Sequence, residues 1–125
     1  MLLTAITLLV GCSSDKSSEV KVVSTEEMQS ILEMEDVQLV DVRTYEEYEA
    51  GYIKGAQNID FNSPTFDEDI LKLDKNKPVV LYCKSGGRST KCAKKMLEAG
   101  FVKVYDLNGG ITQWEFEGLS VETKQ

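Results

Sequence analysis

The chain has 125 residues, 42% of them hydrophobic and 28% charged, with a formal net charge of −7 and no histidine. That length suits one domain built on a single sizeable core. The acidic balance speaks against a nucleic-acid partner, which needs a basic footprint, and against adsorption to anionic lipid by charge alone.

The first segment differs in kind from the rest. "MLLTAITLLVGC" is uncharged and apolar through Gly11, and "SSDKSSE" then turns abruptly polar. Eleven residues are too few to span a bilayer as a helix, which takes about twenty. They match the apolar centre of a secretory signal, although no Lys or Arg precedes Cys12. Leu9-Val10-Gly11-Cys12 resembles the lipobox of bacterial lipoprotein signals, in which cleavage precedes a cysteine that carries diacylglycerol. The expectation is a signal peptide over 1–11, a lipidated Cys12 opening a Ser-rich tether over 12–19, and a folded domain over 20–125. The alternative is an apolar N-terminus bearing an ordinary cysteine.

From there, strand-like and helix-like segments alternate. "EVKVV" reads as a short strand. "STEEMQSILEME" opens with a Ser24/Glu27 capping pair and carries Met28, Ile31 and Leu32 at helical spacing. "VQLVDVR" reads as a buried strand ending in charge. "TYEEYEAG" is a short helix capped by Thr44 and Glu47, with Gly51 past its end. "GAQNID" is a further strand. A turn at Pro64 leads to a brief helix with Phe66, Ile70 and Leu71, and "KPVVLYC" is the most continuously apolar, β-branched strand.

Residues 88–99 predict the longest helix, with Cys92, Ala93, Met96 and Leu97 inward and Lys91, Lys94 and Lys95 outward. "VKVYDL" is the last strand, "GGITQWEFEG" a terminal helix with Trp114 and Phe116 in the core or at its rim, and "LSVETK" a tail or edge strand. This alternation predicts an α/β fold: a mainly parallel sheet with helices on both faces. Ligand sites in such sheets lie beyond the carboxyl ends of the strands. Cys83 and the segment Asp41 to Arg43 both fall at such ends.

Cys83-Lys84-Ser85-Gly86-Gly87-Arg88-Ser89 must turn tightly between a strand and a helix. Gly86 and Gly87 permit that turn and let backbone amides converge beside a helix N-terminus, which makes an anion cradle. With Arg88 and Lys84 nearby, the Cys83 pKa is expected to fall from about 8.5 toward roughly 6 to 7. The alternative is a buried structural cysteine ending a strand. A Cys83–Cys92 disulfide is conceivable in an oxidising compartment, but nothing suggests matched Cβ directions. Cys92 is better placed as core.

Two chemistries suit a thiolate in such a cradle. Cysteine phosphatases and arsenate reductases use a loop like Cys-x5-Arg, one residue longer than the Cys-x4-Arg found here, and Tyr82 stands where those phosphatases usually carry histidine. Sulfane-sulfur transfer fits better, because attack on the outer sulfur of thiosulfate expels sulfite and leaves a persulfide with no proton to shuttle. The missing histidine is then no obstacle.

"DVRTYEEYEAGYIKGAQNI" and "VVLYCKSGGRSTKCAKKMLEAGFVKVYDLNGGITQW" resemble the rhodanese-like domain family over roughly residues 20 to 120. The resemblance implies a rhodanese-like α/β fold with a sheet of about five strands, and a sulfurtransferase of the thiosulfate:cyanide class. Cys83 would carry the persulfide, and amides from Lys84, Ser85, Gly86, Gly87, Arg88 and Ser89 would cradle the substrate. Asp41 and Arg43 would support the site from its edge, and Tyr52 replaces the family's usual histidine at a packing position. No cofactor or metal is implied beyond the covalent persulfide. The partners implied are a small anionic sulfur donor, a thiol, cyanide or protein acceptor, and a bacterial membrane through Cys12, on its extracytoplasmic side. A binding module that holds sulfur or a partner without turnover is the rival reading.

Overall fold

The computed structural model describes residues 19–124. Five strands form one sheet: β1 (Glu19–Val23), β2 (Gln38–Asp41), β3 (Gln57–Asn58), β4 (Val79–Tyr82) and β5 (Lys103–Leu107). Their order is β1-β5-β4-β2-β3, and every pairing is parallel. Helices α1 (Thr25–Met34), α2 (Tyr45–Ala50), α3 (Phe66–Asp69) and α4 (Gly87–Glu98) make the connections, with a 3-10 turn, Ile70–Lys72, after α3, and α5 (Gly110–Phe116) follows β5. The expected α/β fold is present. β1 takes in Glu19, one residue into the expected tether, and Cys12 lies outside the described residues.

Both capping pairs set helix starts. The Ser24 and Thr44 side chains accept from the backbone amides of Glu27 and Glu47, and each glutamate reaches back to its cap residue's N–H. Side chains alternate across the sheet, and both faces are covered. Val79 and Leu81 of β4 join Phe66, Ile70, Cys92, Ala93, Met96 and Phe101 on one face. Val80 and Tyr82 join Met28, Tyr48, Ile111 and Trp114 on the other. Burial on both faces explains why β4 reads as an unbroken apolar run.

Several expectations needed adjustment. Strand β3 keeps two residues of the expected six, because its continuation bonds instead as a loop, with the Ile59 and Phe61 amides donating to the Asp41 and Val42 carbonyls. Leu71 is 56% exposed, because the 3-10 turn rotates it away from the core that Ile70 enters. Phe116 is 84% exposed at the last turn of α5, while Trp114 is buried and donates its indole N–H to the Ser120 carbonyl at 3.0 Å. The tail forms a single antiparallel bridge, Tyr52 with Glu122. Tyr52 stacks on Tyr48 with ring centroids 4.5 Å apart, a packing role.

The topology has one reversal point. From β2 the chain moves toward the β3 edge through α2, and from β4 it moves the opposite way, toward β5, through α4. The carboxyl ends of β2 and β4 therefore flank a crevice, the place where ligands bind in open α/β sheets.

Candidate active site

Cys83 follows β4 directly, and the next five residues turn back over it into α4. Gly86 takes φ = +123°, a conformation costly for any other residue, and this aims its amide at the Cys83 Sγ, which accepts it at 3.0 Å. The Ser89 hydroxyl lies 3.4 Å from Sγ. Burial pushes the thiol pKa up, but the Ser89 side chain and the amides of Ser89, Gly86 and Ser85 outweigh it, so the net shift is downward. The cause differs from the sequence expectation in one respect. Neither Arg88 nor Lys84 is among the main influences; the hydrogen bonds carry the effect.

Arg88 is turned aside to Glu47. Its Nη1 and Nη2 donate to Oε1 and Oε2 at 2.6 and 3.0 Å, a bidentate pair joining α2 to the head of α4. That hydrogen bond holds the Glu47 carboxyl down at about 2. Glu47 read in the sequence only as a helix cap, and no local signal points to a partner 41 residues away. Lys84 and Ser85 are exposed on the loop's outer side, and Gly87 has open space around it.

Asp41 and Arg43 form a fully buried unit at the end of β2. Asp41 accepts from the Arg43 amide and Nε at 3.0 Å, and from Nη2 at 2.7 Å, while Nη2 also donates to the Gly51 carbonyl at 2.5 Å. The guanidinium carbon lies 5.8 Å from the centre of the Tyr82 ring. Asn58 ties the same turn by donating to the carbonyls of Asp41 and Arg43. These residues brace the ends of β2 and β4 and do not contact Sγ.

The loop is held from behind by α5. Ile111 and Thr112 amides donate to the carbonyls of Cys83 and Lys84, both at 3.0 Å. Gly110 permits this approach: at φ = +59°, a Cβ there would sit 2.5 Å from the Cys83 carbonyl oxygen and 2.6 Å from that of Lys84. The pair Gly109-Gly110 thus serves close packing. Between α2, the loop and α5 lies a cleft of about 350 Å³, lined among others by Arg43, Glu47, Lys84, Thr112 and Glu115.

Cys83 itself is 1% exposed, because the loop folds back across it. Cys92 is wholly buried and unpaired, and burial first, with the Asp106 charge second, pushes it up to about 12. The two sulfurs are both free thiols.

The family model for the rhodanese-like domain matches residues 24–117. This chain belongs to the rhodanese-like domain family. It is 35% identical to a rhodanese-like domain protein of known structure from Staphylococcus aureus, with a TM-score of 0.70 over 84% of this chain and 99% of that one. It is 39% identical over 94 residues to a tRNA uridine(34) hydroxylase of Hamiltonella defensa, covering 70% of this chain and 26% of the relative. It is 38% identical over 77 residues to an uncharacterized protein of Bacillus subtilis, covering 62% of this chain and 60% of that one. The chain therefore spans only about a quarter of the hydroxylase's length. In this rhodanese-like domain the loop from Cys83 to Ser89 occupies the reversal point of the sheet.

Proposed function

We propose that the protein is a sulfurtransferase working by double displacement through a Cys83 persulfide. The Cys83 thiolate attacks the outer sulfur of thiosulfate or a similar anionic donor. The donor's S–S bond breaks, and sulfite leaves with the electron pair. A nucleophile such as cyanide or a thiolate then takes the outer sulfur, and the Cys83 thiolate is restored. No proton is gained or lost in the cyanide cycle, so a chain without histidine performs it unaided.

The observation that carries this reading is the Gly86 amide at 3.0 Å and the Ser89 hydroxyl at 3.4 Å from a sulfur whose pKa its hydrogen bonds lower. The same donors suit the developing charge on a sulfonate leaving group. Because Cys83 is 1% exposed, donor access requires the segment from Lys84 to Gly87 to swing outward. The cleft beside Lys84 and Thr112 is the approach for the acceptor.

One observation favours a second reading, a module that holds sulfur without turnover: Cys83 is 1% exposed. Incubation with thiosulfate and cyanide separates the two. Thiocyanate production lost in Cys83→Ser and largely kept in Cys92→Ser supports the enzyme; a bound sulfur without thiocyanate supports the carrier. The tRNA activity named for the larger relatives is not carried over, since the shared stretch is a quarter of their length and a net charge of −7 suits a polyanion poorly. For location, we propose an extracytoplasmic domain anchored through diacylglycerol on Cys12, which intact mass of the membrane-extracted protein would reveal.

A further inference from the structure

The last strand carries a buried acid that the sulfur chemistry above does not use. Asp106 of β5 is 4% exposed, and its Oδ1 has no hydrogen-bond partner. Its Oδ2 lies 3.2 Å from the Thr90 Oγ1. Thr90 Oγ1 is in turn 2.6 Å from the Gly86 carbonyl oxygen, which also accepts from the Thr90 amide at 3.2 Å. Ser89 Oγ sits between that same carbonyl, at 3.3 Å, and Cys83 Sγ, at 3.4 Å. The five groups form one connected set at the head of α4.

Counting protons decides how this set is arranged. Besides the longer Ser89–Gly86 carbonyl contact, three contacts need one hydrogen each: Ser89 with the thiolate, Thr90 with the Gly86 carbonyl, and Asp106 with Thr90. The two hydroxyls supply two. A protonated Asp106 supplies the third, donating to Thr90 Oγ1. Both lone pairs of the Gly86 carbonyl are then filled by Thr90, and the Ser89 proton is left for sulfur. If Asp106 is ionised, it takes the Thr90 proton, the Gly86 carbonyl draws on Ser89, and the thiolate loses its hydroxyl donor. An ionised Asp106 would also bury a charged oxygen without a partner, which costs far more than burying a neutral one.

We propose that Asp106, as the neutral acid, is a positioning residue for the Cys83 thiolate, acting through Thr90 and the Gly86 carbonyl to leave the Ser89 hydroxyl free to donate to sulfur. Burial drives the Asp106 pKa upward, against the Ser89 and Thr90 hydroxyls, in the same sense. Cys92 of α4, itself held neutral, also faces it, and Cys83 at the end of β4 is linked to it only through Ser89, the Gly86 carbonyl and Thr90. Lys95, one turn beyond Cys92, is directed instead to Asp67 and the rings of Phe61 and Phe66. On its third side, Asp106 stands opposite Val22 of β1.

This inference rests on the reading of Cys83 as a working thiolate, and its test does not depend on sulfur transfer. In the full chain, carbon-detected NMR reports the Asp106 carboxyl directly, and peptide-resolved alkylation with iodoacetamide against pH reports the Cys83 midpoint. The acid form of Asp106 at pH 7 is expected; an ionised carboxyl there overturns the proposal. Asp106→Asn, whose amide donates as the acid does, leaves the Cys83 midpoint unchanged. A shift of half a unit or more, in either direction, contradicts the relay. Thr90→Val, an exposed and nearly isosteric change, raises the midpoint by about one unit, roughly what one hydrogen bond to a charged group supports. An unmoved midpoint in Thr90→Val also overturns the relay. Failure here leaves thiocyanate production untouched, whereas absence of thiocyanate leaves these titrations readable.

Discussion

Cys83 and Cys92 are nine positions apart and equally hidden, yet their surroundings drive their thiols in opposite directions. Cys83 ends a strand where the Gly86 amide and the Ser89 hydroxyl meet it; Cys92 sits one turn inside a helix against Met96 and Phe101, where burial leads and the Asp106 charge adds to it. In the native protein at pH 7, iodoacetamide should therefore modify Cys83, with Cys92 reacting only after denaturation. Peptide mass mapping checks this, and modification of both at equal rates would contradict it. The special sulfur was legible in the sequence because glycines and a helix start follow it. The source of its activation was not, since Arg88 reads as a neighbouring charge whichever way its guanidinium turns. Only the fold shows that Glu47 has claimed it. Asp106 did leave a trace, a lone acid in the apolar run "VKVYDL", but a strand charge is ordinarily solvated, and its burial follows from α4 lying across β5.

At the scale of elements, the loop depends on two supports that come from distant parts of the chain. The first is α5, whose first turn donates to the carbonyls of Cys83 and Lys84. Gly110→Ala forces a Cβ into both carbonyl oxygens at a positive φ, so a loss of about 2–4 kcal/mol in urea unfolding is expected, with weakened sulfur transfer. A stability within 0.5 kcal/mol, roughly that of a neutral surface change, would show that the contact yields easily. The second support is the Glu47–Arg88 pair. Glu47→Gln should cost about 1 kcal/mol, the scale of a partly exposed ion pair, and should loosen the loop. Helix starts were readable from Ser24/Glu27 and Thr44/Glu47 because capping is local chemistry. The brevity of β3 was not, because "GAQNID" has strand-like neighbours and its end is decided by which carbonyls of β2 remain free.

Over the whole molecule, the parallel order β1-β5-β4-β2-β3 places the ends of β2 and β4 side by side, and everything assigned to sulfur chemistry gathers there. The alternation of segments made the sheet legible; the strand order required the pairings themselves, since a parallel sheet gives no hairpin signal. Acid stability follows from the same assembly. Glu47 has a folded-state pKa of about 2 against an ordinary 4.5, so its contribution is complete above pH 4.5 and is lost as pH falls through 2. Glu47→Gln should remove that part of the acid slope in thermal melts, and an unchanged slope would contradict the pairing. Asp106, shifted upward, works in the opposite sense: its ionisation disfavours the fold as pH rises. The most direct test of the account is intact mass after thiosulfate treatment, and again after cyanide. A gain of one sulfur atom, removed by cyanide as thiocyanate and absent in Cys83→Ser, is the expected result. A folded protein that takes up no sulfur, or takes it up equally without the Cys83 thiol, would contradict it.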